Sequence, residues 1–482
     1  MDAPITKRKV ITSFIWSLSE KVASQGLQFV ISIILARILI PDDYGIIALL
    51  TIFIQIANIF IIDGFNSSLI QKRDSDDLDF SSVFYFTCAI SVFLYVSVFF
   101  AAPLIARFYK LPVLTPLTRL LALSFFYTPL ASCQYAYIEK HFMFKIYLLR
   151  SLICMVASGS ISIFMAFKGF GVYSLVVHSL TYGTLNSVVL WFSIDWRPKF
   201  MFSFSRIKSL FSYGWKFVCV GLMGAVFRNI HTLIIGRTYS AEQLGFYNRG
   251  QQFPGIIANN FTPALKNVVF PTFSAQNDTS ANVKNMLRMT ARTNAYILLP
   301  LLFGMAAVAR PLILLLLTEK WSKCIPFMQL SCFYFAFYYI NDPNIIAINS
   351  MGRSDIFLKY EIIKKIIIVL SLIITIPLGI YHMAVGQVIV TAVSSLLNFI
   401  PSKNILGYTY AEQLRDITPS LTLSLLMGTA VYTLSYLPLA NLPMLILQLI
   451  LGIVVYLGLS MILRLREFRY IMDMIKLKLP KI

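Results

Sequence analysis

Tyr44-Gly45-Ile46-Ile47-Ala48-Leu49-Leu50-Thr51-Ile52-Phe53-Ile54-Gln55-Ile56-Ala57-Asn58-Ile59-Phe60-Ile61-Ile62 runs nineteen residues without a charge. A helix needs about 20 predominantly apolar residues to cross the hydrocarbon of a bilayer. Outward from this stretch in both directions, the chain keeps supplying similar ones. Over 482 residues it is 58% hydrophobic and 13% charged, against roughly 45–50% apolar and about 25% charged in soluble domains. Its mean hydropathy is +0.74. The reading is an all-α integral membrane protein with no soluble domain large enough for enzymatic work.

Fourteen transmembrane helices are expected, near 11–38, 44–70, 80–106, 112–137, 144–167, 171–193, 211–236, 244–273, 286–317, 324–350, 358–380, 382–401, 416–437 and 442–464. The net charge of +20 is topogenic and does not imply nucleic acid, because Lys and Arg sit in short clusters and no loop is long enough for a nucleic-acid-binding domain. With the N-terminus inside, about 27 of the 41 basic residues fall in inner segments and about seven in outer ones. That asymmetry places both termini in the cytoplasm, and twelve spans would give the same orientation. The first apolar run is long and interrupted by Glu20-Lys21, so it reads as a first helix and not a cleaved signal peptide.

The six cysteines and four histidines form no ligand pattern. No metal and no cofactor is implied. A phosphate-cradling Gly-x-x-x-x-Gly-Lys-Ser/Thr loop is missing, which disfavours a primary pump. No paired carboxylates or nucleophile-and-base arrangement suggests an enzyme.

The two halves resemble one another. Ser13-Phe14-Ile15-Trp16 matches Ser212-Tyr213-Gly214-Trp215. Ala36-Arg37 followed by Pro41-Asp42-Asp43-Tyr44-Gly45 matches Gly236-Arg237 followed by Ala241-Glu242-Gln243-Leu244-Gly245, at an offset of 199 to 200. Six spans separate the copies, so the repeat is parallel, and such lobes usually hold a substrate site at their interface. The expected organisation is an N-terminal lobe over 1–193, a cytoplasmic amphipathic linker over 194–210, a C-terminal lobe over 211–401, and two extra helices with a basic tail over 402–482.

The stretch from Trp16 through Ala36-Arg37-Ile38-Leu39-Ile40-Pro41-Asp42-Asp43-Tyr44-Gly45 resembles the start of bacterial polysaccharide exporters. Leu244-Gly245-Phe246-Tyr247-Asn248-Arg249, Thr318-Glu319-Lys320-Trp321 and Ser350-Met351-Gly352-Arg353 are similar too. These exporters are lipid-linked oligosaccharide flippases of the multidrug/oligosaccharidyl-lipid/polysaccharide exporter superfamily. The resemblance covers most of the chain. It implies an undecaprenyl-pyrophosphate-linked repeat unit moved from the inner to the outer leaflet of a bacterial inner membrane. It also implies cooperation with a polysaccharide polymerase and glycosyltransferases. A monomer is the default, since both lobes belong to one chain.

A central charge in a membrane costs roughly 2.5–3.5 kcal/mol on insertion scales, so each embedded charge needs a partner, a wet cavity or a role. On the first helix Ser13, Ser17, Glu20, Ser24 and Gln28 form a polar stripe flanked by Lys21. Its serines and Gln28 suit either a cavity or a sealed helix contact, and Glu20 suits either a cavity or a pair with Lys21 or Lys216. On the eighth span Gln252, Asn259 and Lys266 fall near one face beside Arg249, and Pro254-Gly255 and Pro263 are expected to interrupt the helix. A matching bend is expected at Asp63-Gly64. Lys21, Lys216, Arg228 and Arg249 are the expected cavity cations that neutralise the pyrophosphate, guanidinium gripping phosphate oxygens in pairs and lysine acting as a point charge. Ser24, Gln28, Gln252, Asn259 and Lys266 would line the cavity, and Glu20 or Asp63 would bind a coupling proton or sodium ion. Arg119 and Arg310 are weaker candidates that also suit the outer membrane surface. A drug or cation antiporter of the same superfamily remains an alternative, though its cavity should be dominated by carboxylates. A lipid II flippase would share the basic cavity and is not separated by charge.

Overall fold

Hydrocarbon offers a backbone N–H or C=O no partner, so a chain this apolar satisfies those groups within helices. The computed structural model describes residues 7–72, 75–141, 147–275, 280–351, 353–469 and 472, and no strand occurs among them. The chain divides into two compact units, Met1–Gly245 and Phe246–Ile482.

The first unit holds α1 (Lys7–Ile38), α2 (Pro41–Gln71), α3 (Asp77–Tyr109), α4 (Leu114–Ala122), α5 (Ser124–His141), α6 (Tyr147–Phe167), α7 (Val172–Ser193), α8 (Phe204–Thr238) and the start of α9 (Ala241–Ala275). The second holds the rest of α9, then α10 (Ser280–Ala307), α11 (Ala309–Leu317), α12 (Ile325–Tyr339), α13 (Asp342–Ser350), α14 (Ser354–Thr375), α15 (Ile380–Leu406), α16 (Tyr410–Thr433) and α17 (Asn441–Ile462). Each of the fourteen expected segments contains one helix or two consecutive ones. The fourth is α4 with α5, the ninth α10 with α11, and the tenth α12 with α13. Among the described residues nine helices are long and apolar enough to cross a membrane, or ten if Asn282–Ala307 and Ala309–Leu317, bent by 67°, form one span. The protein is thus an all-α, multi-pass membrane protein, and a count of fourteen crossings goes beyond this criterion.

The expected interruption of the eighth span does not occur, and the segment with the expected bend stays helical. α9 runs through Pro254, Gly255 and Pro263 without interruption, and α2 runs through Asp63-Gly64. A proline costs a helix one hydrogen bond and crowds the carbonyl four residues back. Ending the helix in an apolar setting would strand several more backbone groups, so continuing is the smaller cost. The breaks fall instead at Leu123, at Val308 and at Ile340-Asn341. At the last of these Pro343 enters the first turn of α13, where its missing N–H costs nothing.

In the first unit α2 packs along α8 and against α5, and α1 packs on α6. Ile56 and Ile59 of α2 meet Val218, Leu222 and Ala225 of α8. The extended connection 194–203 is held on the first turns of α3. Lys199 N donates to Ser81 Oγ at 3.0 Å, Ser203 N to Ser82 Oγ at 3.0 Å, and Trp196 Nε1 to Asp77 Oδ1 at 3.1 Å. Asp79, its side chain fully buried, accepts from Lys72 at 2.5 Å and from Arg206 at 3.4 Å, tying the end of α2 and the first turn of α8 to one carboxylate. Asp76 caps α3, and the Asp79 backbone N–H that it accepts holds its carboxyl below the usual range. Its cap therefore contributes fully above the ordinary carboxylate pKa, and the contribution is lost as pH falls through the lowered one.

The repeat read from the sequence meets itself at the helix starts. A Cβ on Gly45 would lie 1.8 Å from the Ala241 carbonyl oxygen, and one on Gly245 would lie 1.9 Å from the Pro41 carbonyl oxygen. Pro41 and Ala241 are repeat partners, as are Gly45 and Gly245, so each helix start rests its glycine on the first carbonyl of the other. Only a residue without a side chain permits that approach. Gly45→Ala and Gly245→Ala are each expected to lower stability by about 1–3 kcal/mol, as overpacking does. The double variant should lose clearly less than the sum, because the first methyl already parts the two backbones. Thermal melting of the four proteins in detergent checks this, and strict additivity would contradict the reciprocal contact.

Candidate functional site

Two of the stretches that carry the family resemblance converge in the second unit. Phe246 packs edge-on against Trp321 with ring centroids 6.0 Å apart, and Trp321 is fully buried. The turn delivering Trp321 passes through Thr318, a non-glycine residue at φ 83°. Tyr247 donates to Gln387 Oε1 on α15 at 2.8 Å. Arg249, one turn on, is 3% exposed. Its guanidinium donates to Gln252 Oε1 at 2.5 Å, with its carbon 5.7 Å from the Phe253 ring and 5.8 Å from the Trp321 ring. Aromatic faces attract a cation most strongly when water is excluded. Gln252 and Asn259 are exposed on the same face of α9, seven residues apart, and Asn259 Oδ1 accepts from Tyr339 at 2.7 Å.

The other expected cations lie in the first unit and are open. Lys21 on α1 and Lys216 and Arg228 on α8 are all exposed, and none forms an ion pair among the described residues. On α1, Gln28 is exposed near the face of Lys21, while Ser24 is half-buried with its Oγ 3.2 Å from Ser151 Oγ on α6. On α8, Lys216 and Arg228 are twelve residues apart, which turns them ~120° from one another about the axis. Lys216 faces away from the Val218–Ala225 contact with α2. The structure therefore presents three exposed cations without placing the two on α8 side by side. Arg119 lays its guanidinium 4.0 Å over Phe99. The side chains of Glu20, Asp63 and Lys266 lie outside the described residues, although their backbones are helical.

The charge cluster that the sequence reading missed joins α10 to α16. Asp416, with its side chain fully buried, accepts from Arg288 Nε at 2.8 Å, from Arg288 Nη2 at 3.1 Å, from Arg292, and from the Tyr408 hydroxyl at 2.8 Å. One turn earlier Lys284 pairs with Glu412 at 3.0 Å. Lys284, Arg288 and Arg292 recur every four residues, and so do Glu412 and Asp416. That matched spacing was the available signal, since residues four apart share a helix face. Beyond it, Tyr296 donates to Ser460 Oγ at 2.9 Å, and the Tyr456 hydroxyl donates to the Tyr296 carbonyl at 2.7 Å.

Bundled apolar helices that are long enough to cross a bilayer and that carry embedded cations define a multi-pass membrane protein. The model of the family described as "Polysaccharide biosynthesis protein" matches residues 34–326, and the chain belongs to that family. Among its relatives, the teichuronic acid biosynthesis protein TuaB of Bacillus subtilis (strain 168) is 25% identical over 362 residues, 74% of this chain and 73% of that one. The lipopolysaccharide biosynthesis protein WzxC of Escherichia coli (strain K12) is 23% identical over 430 residues, 87% of this chain and 86% of that one. Of solved structures, the lipid II flippase MurJ in an inward closed conformation superposes with a TM-score of 0.74 at 16% identity, covering 93% of this chain and 98% of that one. At that identity the likeness is one of fold. The protein is a multi-pass membrane protein of this polysaccharide biosynthesis family.

Replacing Asp416 removes the carboxylate that pairs with Arg292 and leaves Arg288 with Glu412 at 3.6 Å. Asp416→Asn is expected to cost about 3 kcal/mol or more, whereas Tyr408→Phe, which removes one hydrogen bond, should cost about 1 kcal/mol. Melting temperatures of the purified variants test the ranking, and equal small shifts would overturn it.

Proposed function

We propose that this protein moves an undecaprenyl-pyrophosphate-linked oligosaccharide repeat unit from the inner to the outer leaflet of a bacterial inner membrane by alternating access. Both termini lie in the cytoplasm in this reading. The observation that carries it is a set of exposed cations without ion-pair partners among the described residues, Lys21, Lys216 and Arg228, on apolar membrane helices of a polysaccharide biosynthesis family member. Positive charge left unpaired there is costly unless an anionic cargo visits it. A pyrophosphate supplies that counter-charge, and a cationic drug would not.

Each cation removed takes away a charge-assisted contact of about 1.5–3 kcal/mol, roughly tenfold or more in transport. Gln252 and Asn259 of the second unit offer amides to the sugar in this reading, and Ser24 and Gln28 of the first unit offer further polar groups. Arg249 is the fourth cation of the reading. Its enclosure by Trp321 and Phe253 makes it the one that also supports the fold. A proton or sodium ion drives the cycle through Glu20 or Asp63, the polymerase and glycosyltransferases act before and after it, and a single chain suffices.

Liposomes holding a labelled undecaprenyl-pyrophosphate oligosaccharide test this. Outer-leaflet exposure should depend on an ion gradient and fall at least tenfold in Lys216→Gln/Arg228→Gln, with the melting temperature unchanged. Arg249→Gln should instead lose about 2 kcal/mol of stability together with transport. Movement of lipid II or uptake of a cationic dye, with this cargo left in place, would overturn the proposal.

A further inference from the structure

A second basic site lies in the second unit, built from residues other than the cations assigned to the cargo. Just past α17 the chain reverses at Arg464, a non-glycine residue at φ 49°. Leu465 and Phe468 then pack against the cluster that contains Tyr296 and Tyr456. This return brings Arg466 and Glu467 against α10 and forms an open cavity of about 380 Å³. Its other wall is one face of α10, formed by Asn285, Arg288, Met289, Arg292 and Thr293.

The charges around this cavity do not balance. Arg288, Arg292 and Arg466 supply three positive charges, and Asp416 and Glu467 supply two negative ones, while Lys284 and Glu412 offset each other. Among the described groups that line the cavity and their ion-pair partners, one positive charge remains. Arg466 is exposed and forms no ion pair among the described residues. A guanidinium carries five N–H donors. Arg292 directs only Nη2 to Asp416, and Arg288 directs Nε and Nη2 there, with Nη1 at 3.6 Å from Glu412. Donors therefore remain toward the cavity, alongside the Asn285 amide and the Thr293 hydroxyl. The cavity lies along the first half of α10 and beside the segment that follows α17.

We propose that this cavity binds a phosphate monoanion, presented by the phosphodiester headgroup of an anionic membrane lipid. A single negative charge closes the local balance, and planar guanidinium forks suit phosphate oxygens. Bound there, the headgroup bridges α10 to the segment after α17. The inference does not depend on which cargo the protein transports.

The test uses the full chain purified in a neutral detergent, titrated with short-chain phosphatidylglycerol and, separately, with inorganic phosphate. Native mass spectrometry and thermal melting read the binding. Phosphatidylglycerol should bind to the unaltered protein, about tenfold more weakly to Arg466→Gln, and comparably weakly to Met289→Trp, which fills the cavity without touching Asp416. Both variants leave the ion cluster of α10 and α16 intact, so they are expected to fold. Stabilisation by inorganic phosphate alone, lost in Arg466→Gln, would support the phosphate site while assigning it to a soluble anion. Equal affinity for phosphatidylglycerol in all three proteins, with no response to inorganic phosphate, would overturn the proposal.

Discussion

Charge placed in a medium without water must be matched locally, and Asp416 is where this protein meets that demand most completely. Two arginines from α10 and the Tyr408 hydroxyl converge on a carboxylate with no exposed surface. The same residues fix how α16 lies along α10, and α17 then packs on α16. Asp79 plays the equivalent part in the first unit, where one buried carboxylate holds Lys72 at the end of α2 and Arg206 in the first turn of α8. Apolar side chains alone cannot hold membrane helices in one arrangement, because lipid tails satisfy them equally well. Direction and register come from these polar clamps and from backbone contacts such as Gly45 on Ala241.

Against that background the cations without ion-pair partners among the described residues stand out. Lys21, Lys216 and Arg228 are exposed and unclamped, whereas Arg249 is enclosed by Gln252, Phe253 and Trp321. The contrast separates two uses of positive charge within one membrane protein. Enclosed charge builds the frame, and open charge is available to an anion. The cavity beneath Arg466 combines the two, since its arginines serve the frame and still retain donors.

Much of this was legible beforehand. The uninterrupted apolar run from Tyr44 to Ile62 sufficed for a membrane helix, and its recurrence sufficed for the all-α class. The repeat at Pro41-to-Gly45 and Ala241-to-Gly245 was visible as spaced matches, and the structure gives them a physical meaning as mutual backbone contacts. Proline was a poor guide. Pro254 and Pro263 suggested a broken helix, yet α9 continues through both, while the bend at Val308 carries no proline at its centre. Local chemistry states what a residue disfavours, and the surrounding solvent decides whether an alternative is worse.

The sequence by itself determined the solvent this protein lives in, the helical class, the repeat and the identity of every embedded charge, because each depends on composition and spacing along the chain. Tertiary structure alone decided which charges are clamped and which are open. Arg249 and Arg228 look alike in sequence, and nothing local distinguishes a guanidinium enclosed between Phe253 and Trp321 from an exposed one. The pairing of Arg288 and Arg292 with Asp416 spans more than a hundred residues. Such a contact depends on how distant helices meet, and only the folded chain brings them together.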